Sequence, residues 1–416
     1  MITQLPSTTL KKWLLLISVF CFSFNLLVSI VCWVLIGLIT LFLKEHRSLM
    51  LQQFKNEKYL WLLPAFYGLH VLGVLWSTNY AQAGLDLQIK MTLLLLPIIL
   101  SSFEIDSLFI NKVRRYFIGG VLVSCIYLLA IAFYSYFKTG KATVFFYSEL
   151  SDSIMHPTYF SLYLNAALLF VFHEMILSSH RRTIWMGAAY MIVFFLMIVL
   201  LSARTAEATA FLSLVVMIIL YWKKKGSYRF IYPLLFVFAV TITAQVLLLK
   251  YSNRFSQVEV AVKNVEPVSI SRSKSTSIST YNSTTGRMEI WKETISIVPQ
   301  YWLIGTGTGD VKDVLNTTYR ENNFSYGYEK SLNTHNQYLQ SFLTLGIIGL
   351  LLFAFAILIP WLIRSNYHPL LLMLLFIFAL NSLTESMLEA QRGAIFFALM
   401  ISIFGRKIYS TSKSSH

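Results

Sequence analysis

Apolar segments that approach the thickness of a membrane recur along the whole chain, and they constrain the fold more than any other feature. Residues 185–201 and 230–249 are two of them, and about 20 apolar residues cross a bilayer as one helix. Only 13% of the residues are charged, about half of the roughly 25% that soluble domains carry. The sequence therefore predicts an all-α, polytopic integral membrane protein.

The hydropathy pattern predicts about twelve transmembrane helices. The first apolar stretch, from Trp13 to Leu43, would be about 46 Å long as a single helix, and this length exceeds the ~30 Å hydrocarbon core. A turn near Phe24 and Asn25 is therefore expected to divide it into two spans. The predicted spans are 12–26, 28–43, 59–76, 85–103, 116–137, 157–177, 184–202, 206–222, 230–249, 338–363, 369–384 and 392–405.

The basic residues between the spans predict the orientation. They fall on alternate sides, as the positive-inside rule requires, and this places both termini in the cytoplasm. The clusters on that side include Lys55 and Lys58, Lys112 to Arg115, Arg181 and Arg182, and Lys223 to Arg229. Topology thus accounts for most of the net charge of +15, and no nucleic acid partner is expected. The three cysteines lie in apolar segments, so neither a disulfide framework nor a thiolate metal site is indicated.

One long loop interrupts this pattern. Residues 250–337 lie on the outer side, and long translocated segments are largely exempt from the positive-inside rule. Within the loop, residues 269–285 are rich in Ser and Thr and resemble a linker. Residues 287–298 place apolar side chains at helical spacing, which predicts a short amphipathic helix at the membrane surface that ends at Pro299. The chain therefore divides into nine spans (1–249), this periplasmic loop (250–337) and three further spans with a tail (338–416).

Motifs in the loop resemble a known family. The loop ends in His335 and Asn336, followed by nine residues, Gly346, two residues and Gly349. Other members of the set precede it in the loop: Gly286, Arg287, Trp291, Pro299, Gly305, Gly307 and Gly309. This block, together with the predicted spans and the large loop before span ten, is similar to the O-antigen ligase and polymerase family.

The resemblance implies an enzyme that transfers a glycan from undecaprenyl pyrophosphate to an acceptor hydroxyl at the periplasmic face of the bacterial inner membrane. In the ligases the acceptor is the lipid A–core oligosaccharide. The family's functional residues match Arg204, Arg287 and His335, and Arg254 is a further candidate for the pyrophosphate. Asn336, Gly305, Gly307 and His156 are secondary candidates. Neither a cofactor nor a metal is expected, because no cluster of metal ligands is evident in the sequence.

The chemistry of these residue types favours the same reaction. Arginine presents a planar fork to phosphate oxygens and stays protonated, so it suits the charge that develops on a leaving pyrophosphate. A histidine can accept the proton of a poorly nucleophilic sugar hydroxyl. ATP is absent outside the cytoplasmic membrane, so the donor itself must supply the bond energy.

Each residue also has a structural alternative. Arg204 could extend to the interface or pair with Glu207, Arg287 could be a solvated residue at a helix start, and His335 could cap span ten. The glycines at 305–309 fit a plain turn better than a pyrophosphate loop, and His156 fits a helix start.

Other polar residues near the spans have structural explanations. Arg392 follows Glu385 and Glu389, so we expect a salt-bridge cluster among them. Lys90 lies inside a span and needs a partner or a wet cavity there.

Two other functions remain open at this stage. A polymerase that joins lipid-linked repeat units differs from a ligase only in the acceptor. A transporter or flippase would place its charges at mid-membrane, on broken helices joined by comparatively short loops. Here the ionisable residues flank a long outer loop, which favours chemistry at the membrane surface. The expected partners are thus the lipid-linked glycan, its glycan acceptor and membrane lipids.

Overall fold

The computed structural model of the protein describes residues 6–202, 204–225, a few positions between 232 and 243, 283–363 and 368–406. Every regular element in this part of the chain is helical, which confirms the predicted class. The α-helices are α1 (Pro6–Cys21), α2 (Leu26–Phe42), α3 (Lys44–Asn56), α4 (Leu62–Gly73), α5 (Tyr80–Lys90), α6 (Thr92–Leu100), α7 (Ser107–Thr139), α8 (Tyr147–Ser151), α9 (Pro157–Leu177), α10 (Arg181–Leu200), α11 (Arg204–Lys225), α12 (Ser283–Tyr301), α13 (Val311–Glu321), α14 (Ser325–Glu329), α15 (Gln337–Leu362), α16 (Pro369–Ser382) and α17 (Gln391–Phe404).

Several of these helices can cross a membrane. By length and apolarity, six qualify among the described residues: Lys58–Trp76, Tyr80–Leu100, Ser107–Thr139, Pro157–Leu177, Arg181–Leu200 and Gln337–Leu362. Three shorter apolar helices accompany them, at Thr205–Leu220, Pro369–Ser382 and Gln391–Phe404. The protein is therefore a multi-pass membrane protein, whereas the count of twelve spans is not confirmed. The predicted span 230–249 lies largely outside the described residues.

The first two helices are joined at the turn that hydropathy predicts. Asn25 caps α2 by accepting a hydrogen bond from the Val28 amide at 3.2 Å, the usual role of asparagine at this position. The chain then turns by 101° between α2 and α3. The sequence did not predict α3, because its largely polar side chains leave no hydropathy signal.

Helix α9 lies at the centre of the bundle. Almost all of its side chains are buried, and it packs against α7, α10, α11 and α16. The bundle shares one apolar core, to which α9 and the short helices α16 and α17 contribute heavily. The N-terminal ends of α9 and α17 thereby come close to the start of α15.

The described part of the predicted loop, residues 283–336, has a small apolar core of its own. Ile290 of α12 packs there with Leu315, Tyr319, Phe324 and Leu343. The predicted helix at 287–298 is thus present as α12, but its end is wrong, because Pro299 lies within its last turn. The buried face of α12 contacts α13 and α15.

Candidate active site

His335 occupies a strained position that several neighbours hold in place. Its φ of +44° lies in the left-handed region, which a residue other than glycine adopts only when its surroundings impose it. The His335 amide donates to Asn333 Oδ1 at 3.0 Å. The next contacts fix Thr334, whose carbonyl accepts from Trp291 Nε1 at 3.0 Å and whose hydroxyl contacts Ser386 Oγ at 3.0 Å. The imidazole is therefore presented from a fixed backbone.

The imidazole of His335 meets a carboxylate that the sequence did not assign to it. His335 Nδ1 lies 3.2 Å from Glu385 Oε1 and 3.3 Å from Oε2. Arg287 Nη2 lies 3.8 Å from Glu385 Oε2. The side chains of His335 and Arg287 are 24% and 29% exposed, whereas that of Glu385 is only 10% exposed. Two of the predicted residues thus converge on one largely buried acid and stay open to solvent themselves.

The charge of Glu385 follows from its surroundings. Burial by itself would raise the pKa of this carboxyl, but the hydrogen bond from His335 and the charges of His335, Arg287 and His156 outweigh burial and hold the pKa below its ordinary value. Glu385 is therefore ionised at neutral pH and can only accept hydrogen bonds. It follows that Nδ1 of His335 carries the proton, and that Nε2 is the ring nitrogen left to accept one.

Asn336, and not His335, caps the long helix. Its side chain accepts hydrogen bonds from two backbone amides in the first turn of α15, and its Nδ2 donates to the Leu383 carbonyl at 3.1 Å. Gln337 Oε1 accepts from the Leu388 amide at 2.7 Å. These contacts fasten the start of α15 to the connection between α16 and α17, which carries Glu385. The alternative that His335 caps this helix is therefore wrong, and the His335 side chain contacts Glu385 instead.

A second buried ion pair adjoins this site. Lys90 Nζ lies 2.9 Å from Glu389 Oε1, with 1% and 14% of the two side chains exposed. Glu389 lies four residues after Glu385, in the same short connection between α16 and α17. Of the two predicted possibilities for Lys90, a partner or a wet cavity, the structure shows the partner.

The predicted salt-bridge cluster around Arg392 is wrong. The guanidinium donates instead to two backbone carbonyls, those of Phe22 at 3.2 Å and Ile154 at 2.9 Å. Arg392 thus ties α17 to the end of α1 and to the loop before α9. Glu385 and Glu389 are left to His335, Arg287 and Lys90.

The glycine-rich turn at residues 305–309 fills a notch in the bundle. Gly346 breaks α15 with φ +65° and ψ −160°, and a Cβ on Gly305 would lie 2.3 Å from the Thr344 carbonyl carbon. All five amides of the turn donate within the protein, to Tyr301 O, Leu343 O, Thr344 O, Gly73 O and Ser77 Oγ. Because no amide is left for a phosphate, the secondary role considered for Gly305 and Gly307 is not supported, and the turn packs helices together.

Of the three remaining candidate residues, the structure describes His156 fully, only the backbone of Arg204, and nothing of Arg254. His156 caps α9, where its Nδ1 accepts from the Thr158 amide at 3.4 Å, and its ring is exposed near Glu385. Arg204 begins α11, which packs against α9 and α16, but its side chain is outside the described residues. Arg254 lies outside them altogether. Among the described residues no group of three or more His, Cys, Asp and Glu side chains could hold a metal ion.

The fold and the site together define a multi-pass α-helical membrane protein that carries an Arg–Glu–His cluster beside a large loop. Residues 189–354 match the family model described as O-antigen ligase, a segment that runs from α10 into α15 and contains Arg204, Arg287 and His335. The match is to this segment of the chain, and it supports the family recognised from the motifs. No curated protein matches the chain.

Sequence reasoning missed Glu385 as a member of the site. It lies 50 residues from His335 and seven from Arg392, and proximity along the chain favoured the wrong partner. The signal in the sequence was that Glu385 directly follows a predicted span in a short connection, where a buried acid needs a partner.

Proposed function

We propose that the protein is an O-antigen ligase that transfers a glycan from undecaprenyl pyrophosphate to a hydroxyl of the lipid A–core oligosaccharide. The reaction takes place at the periplasmic face of the bacterial inner membrane. The family match supports O-antigen ligase-type glycosyl transfer. The observation that carries the proposal is the convergence of His335 and Arg287 on Glu385.

Arg287 and Arg204 bind the pyrophosphate of the donor, and Arg254 adds to this anion site. Arg287 is suited to this role because its ion pair with Glu385 is long, at 3.8 Å, and its side chain is partly exposed. A phosphate oxygen can therefore bind the open side of its fork. As the sugar–phosphate bond breaks, the arginine charges stabilise the negative charge that grows on the leaving oxygen.

His335 accepts the proton of the acceptor hydroxyl through Nε2. The acceptor oxygen bonds to the anomeric carbon of the donor sugar, while the electron pair of the breaking carbon–oxygen bond remains on the pyrophosphate. The proton passes to His335, and the imidazolium that forms is held by the Glu385 carboxylate. Glu385 is thus a positioning residue, because it selects the tautomer of His335 and stabilises its charged form. No metal or nucleotide enters this scheme.

Analysis of lipopolysaccharide from a deletion strain tests the ligase assignment. Loss of all glycan from lipid A–core, with the lipid-linked polymer retained, is expected for a ligase. A core capped by a single repeat unit would instead indicate a polymerase. Absence of lipid-linked polymer on the periplasmic side would indicate a flippase.

A further inference from the structure

A groove of about 400 Å³ opens between α7, α9 and α10, away from the active site. Its walls are formed by one face of each helix, including every third or fourth residue of α7 from Arg115 to Leu122 and of α10 from Thr183 to Tyr190. Such spacing gives continuous stripes along the helices. The groove therefore follows the direction of the helices.

The groove is polar at one end and apolar along the rest of its length. Arg115 and Glu174 form an ion pair of 2.9 Å at the polar end, and their side chains are 70% and 30% exposed. Ile118, Met186 and Tyr190 line the apolar part. A ligand that fits this arrangement has a charged head and a hydrocarbon tail, as a membrane phospholipid does.

The charge at the polar end favours an anionic headgroup. The starts of α7 and α10 also carry Lys112, Arg181 and Arg182 with exposed side chains, and Glu174 is the acid that lines the groove. The positive-inside rule assigns this end to the cytoplasmic side. Basic pockets between transmembrane helices on that side bind the headgroups of anionic lipids such as cardiolipin.

Two glycines lie in the lining of the groove, where the helices pack closely. A Cβ on Gly187 would lie 2.4 Å from Met175 Cγ, so glycine lets α10 approach α9 closely at this level. Gly119 also lines the groove on α7, and a Cβ there would contact the Phe20 ring at 3.4 Å. The opening is thus part of the way in which the three helices pack.

We propose that this groove binds an anionic phospholipid of the cytoplasmic leaflet, with its phosphate at Arg115 and an acyl chain along Ile118 and Tyr190. The site is independent of the glycan transfer proposed above, because it lies at the opposite ends of the helices. Its occupant is a resident lipid rather than a substrate.

Two variants that break the same ion pair test the proposal. Arg115→Gln removes the cation, whereas Glu174→Gln removes the competing anion and keeps the cation. The full-length protein is purified in detergent, and the retention of added phosphatidylglycerol, cardiolipin and phosphatidylethanolamine is measured by native mass spectrometry. Arg115→Gln should weaken binding of the anionic lipids about fivefold, the equivalent of about 1 kcal/mol for one basic residue, and Glu174→Gln should preserve or strengthen it.

Equal losses in the two variants would show that the ion pair only braces the helices and would overturn the proposal. Equal retention of phosphatidylethanolamine by the wild type would overturn the preference for an anionic headgroup. Thermal unfolding of both variants without lipid separates a lipid effect from misfolding. Arg182→Gln, an exposed cation outside the lining of the groove, should change retention less than Arg115→Gln does.

Discussion

Replacement of Glu385 by glutamine keeps the shape of the side chain and removes its charge. Nδ1 of His335 then faces an amide that can donate as well as accept, so the tautomer that leaves Nε2 free is no longer selected. A hydrogen bond to a charged group contributes about 1.5–3 kcal/mol, which corresponds to about 10- to 160-fold in rate. The distances of 3.2 and 3.3 Å exceed the ~2.7–2.9 Å of strong charge-assisted bonds, so we expect the lower part of this range, about 10- to 30-fold.

Donor binding separates this role from a general loss of structure. The carboxylate lies 3.8 Å from Arg287 and competes with the pyrophosphate for it, so Glu385→Gln should bind the lipid-linked donor as well as the wild type or better. The turnover number should fall while the KM for donor does not rise. Glu385→Asp, which keeps the charge, should recover part of the rate.

The pH dependence gives a second criterion. Because the pKa of Glu385 is lowered in the folded protein, its contribution to stability is complete above the ordinary value of about 4.3 and is lost as the pH falls through the lowered value. Transfer by the wild type and by Glu385→Gln should also respond differently to acid. The groups that face His335 and Glu385 are Arg287 from α12 and His156 and Tyr159 from α9. Protonation of Glu385 removes from the wild type the charge that holds His335, so transfer by the wild type should fall in acid as the pH passes through the lowered pKa of Glu385, whereas the variant lacks this step.

The assay is glycan transfer and donor binding on the same folded, detergent-purified proteins. Glu289→Gln is the matched control, because it makes the same change on α12, where Glu289 pairs with Lys292 at the surface. An unchanged rate in Glu385→Gln would refute the positioning role. So would a loss of donor binding equal to the loss of rate.

Three further predictions concern the fold and the topology. Gly305→Ala should lower stability by more than the ~1–3 kcal/mol of backbone strain alone, because the added Cβ would meet the Thr344 backbone. Gly140 has a similar φ but open space around it, so Gly140→Ala should cost the strain only. Equal losses of melting temperature in the two variants would contradict the packing role of Gly305. Lys90→Met should destabilise the protein by about 3–5 kcal/mol, because it leaves Glu389 buried without its partner, and Glu389→Gln in the same chain should recover part of this loss in thermal unfolding. In a Cys-free background, Ser275→Cys should react with an impermeant reagent in intact spheroplasts and Ser227→Cys should not, and the reverse result would invert the topology.

Hydropathy predicted the multi-pass helical class because burial in lipid acts on each segment separately, whereas its count of twelve spans is not confirmed. It found the apolar centre of α7 but not its start at Ser107, where Asp106 caps the helix by accepting from the Phe109 amide. It also missed α3, whose polar residues resemble a loop. In both cases the missing part is amphipathic or polar and is stabilised by capping or packing, which a hydropathy window does not detect.

The candidate site was predicted in part, because its motifs name residues but not partners. The sequence identified His335 and Arg287 through the family resemblance, and the cost of burying Lys90 predicted either a partner or a wet cavity for it. It could not identify Glu389 as that partner or Glu385 as the partner of His335, because these contacts join residues far apart in the chain. Choosing among Glu385, Glu389 and Arg392 required the packing of α16 and α17 against the start of α15.

The most direct test of the account is a comparison of donor binding and glycan transfer in His335→Ala and Arg287→Ala, measured in excess EDTA without nucleotide. Arg320→Ala, which removes an exposed loop cation that stacks on Tyr328, is the control. His335→Ala should lose about 10²–10⁴ in transfer rate, as expected for a general base, and should still bind the lipid-linked donor. Arg287→Ala should bind the donor more weakly and lose about 10²–10³ in rate. Near-normal transfer by both variants would contradict the central claim, as would loss of donor binding in His335→Ala with normal donor binding in Arg287→Ala.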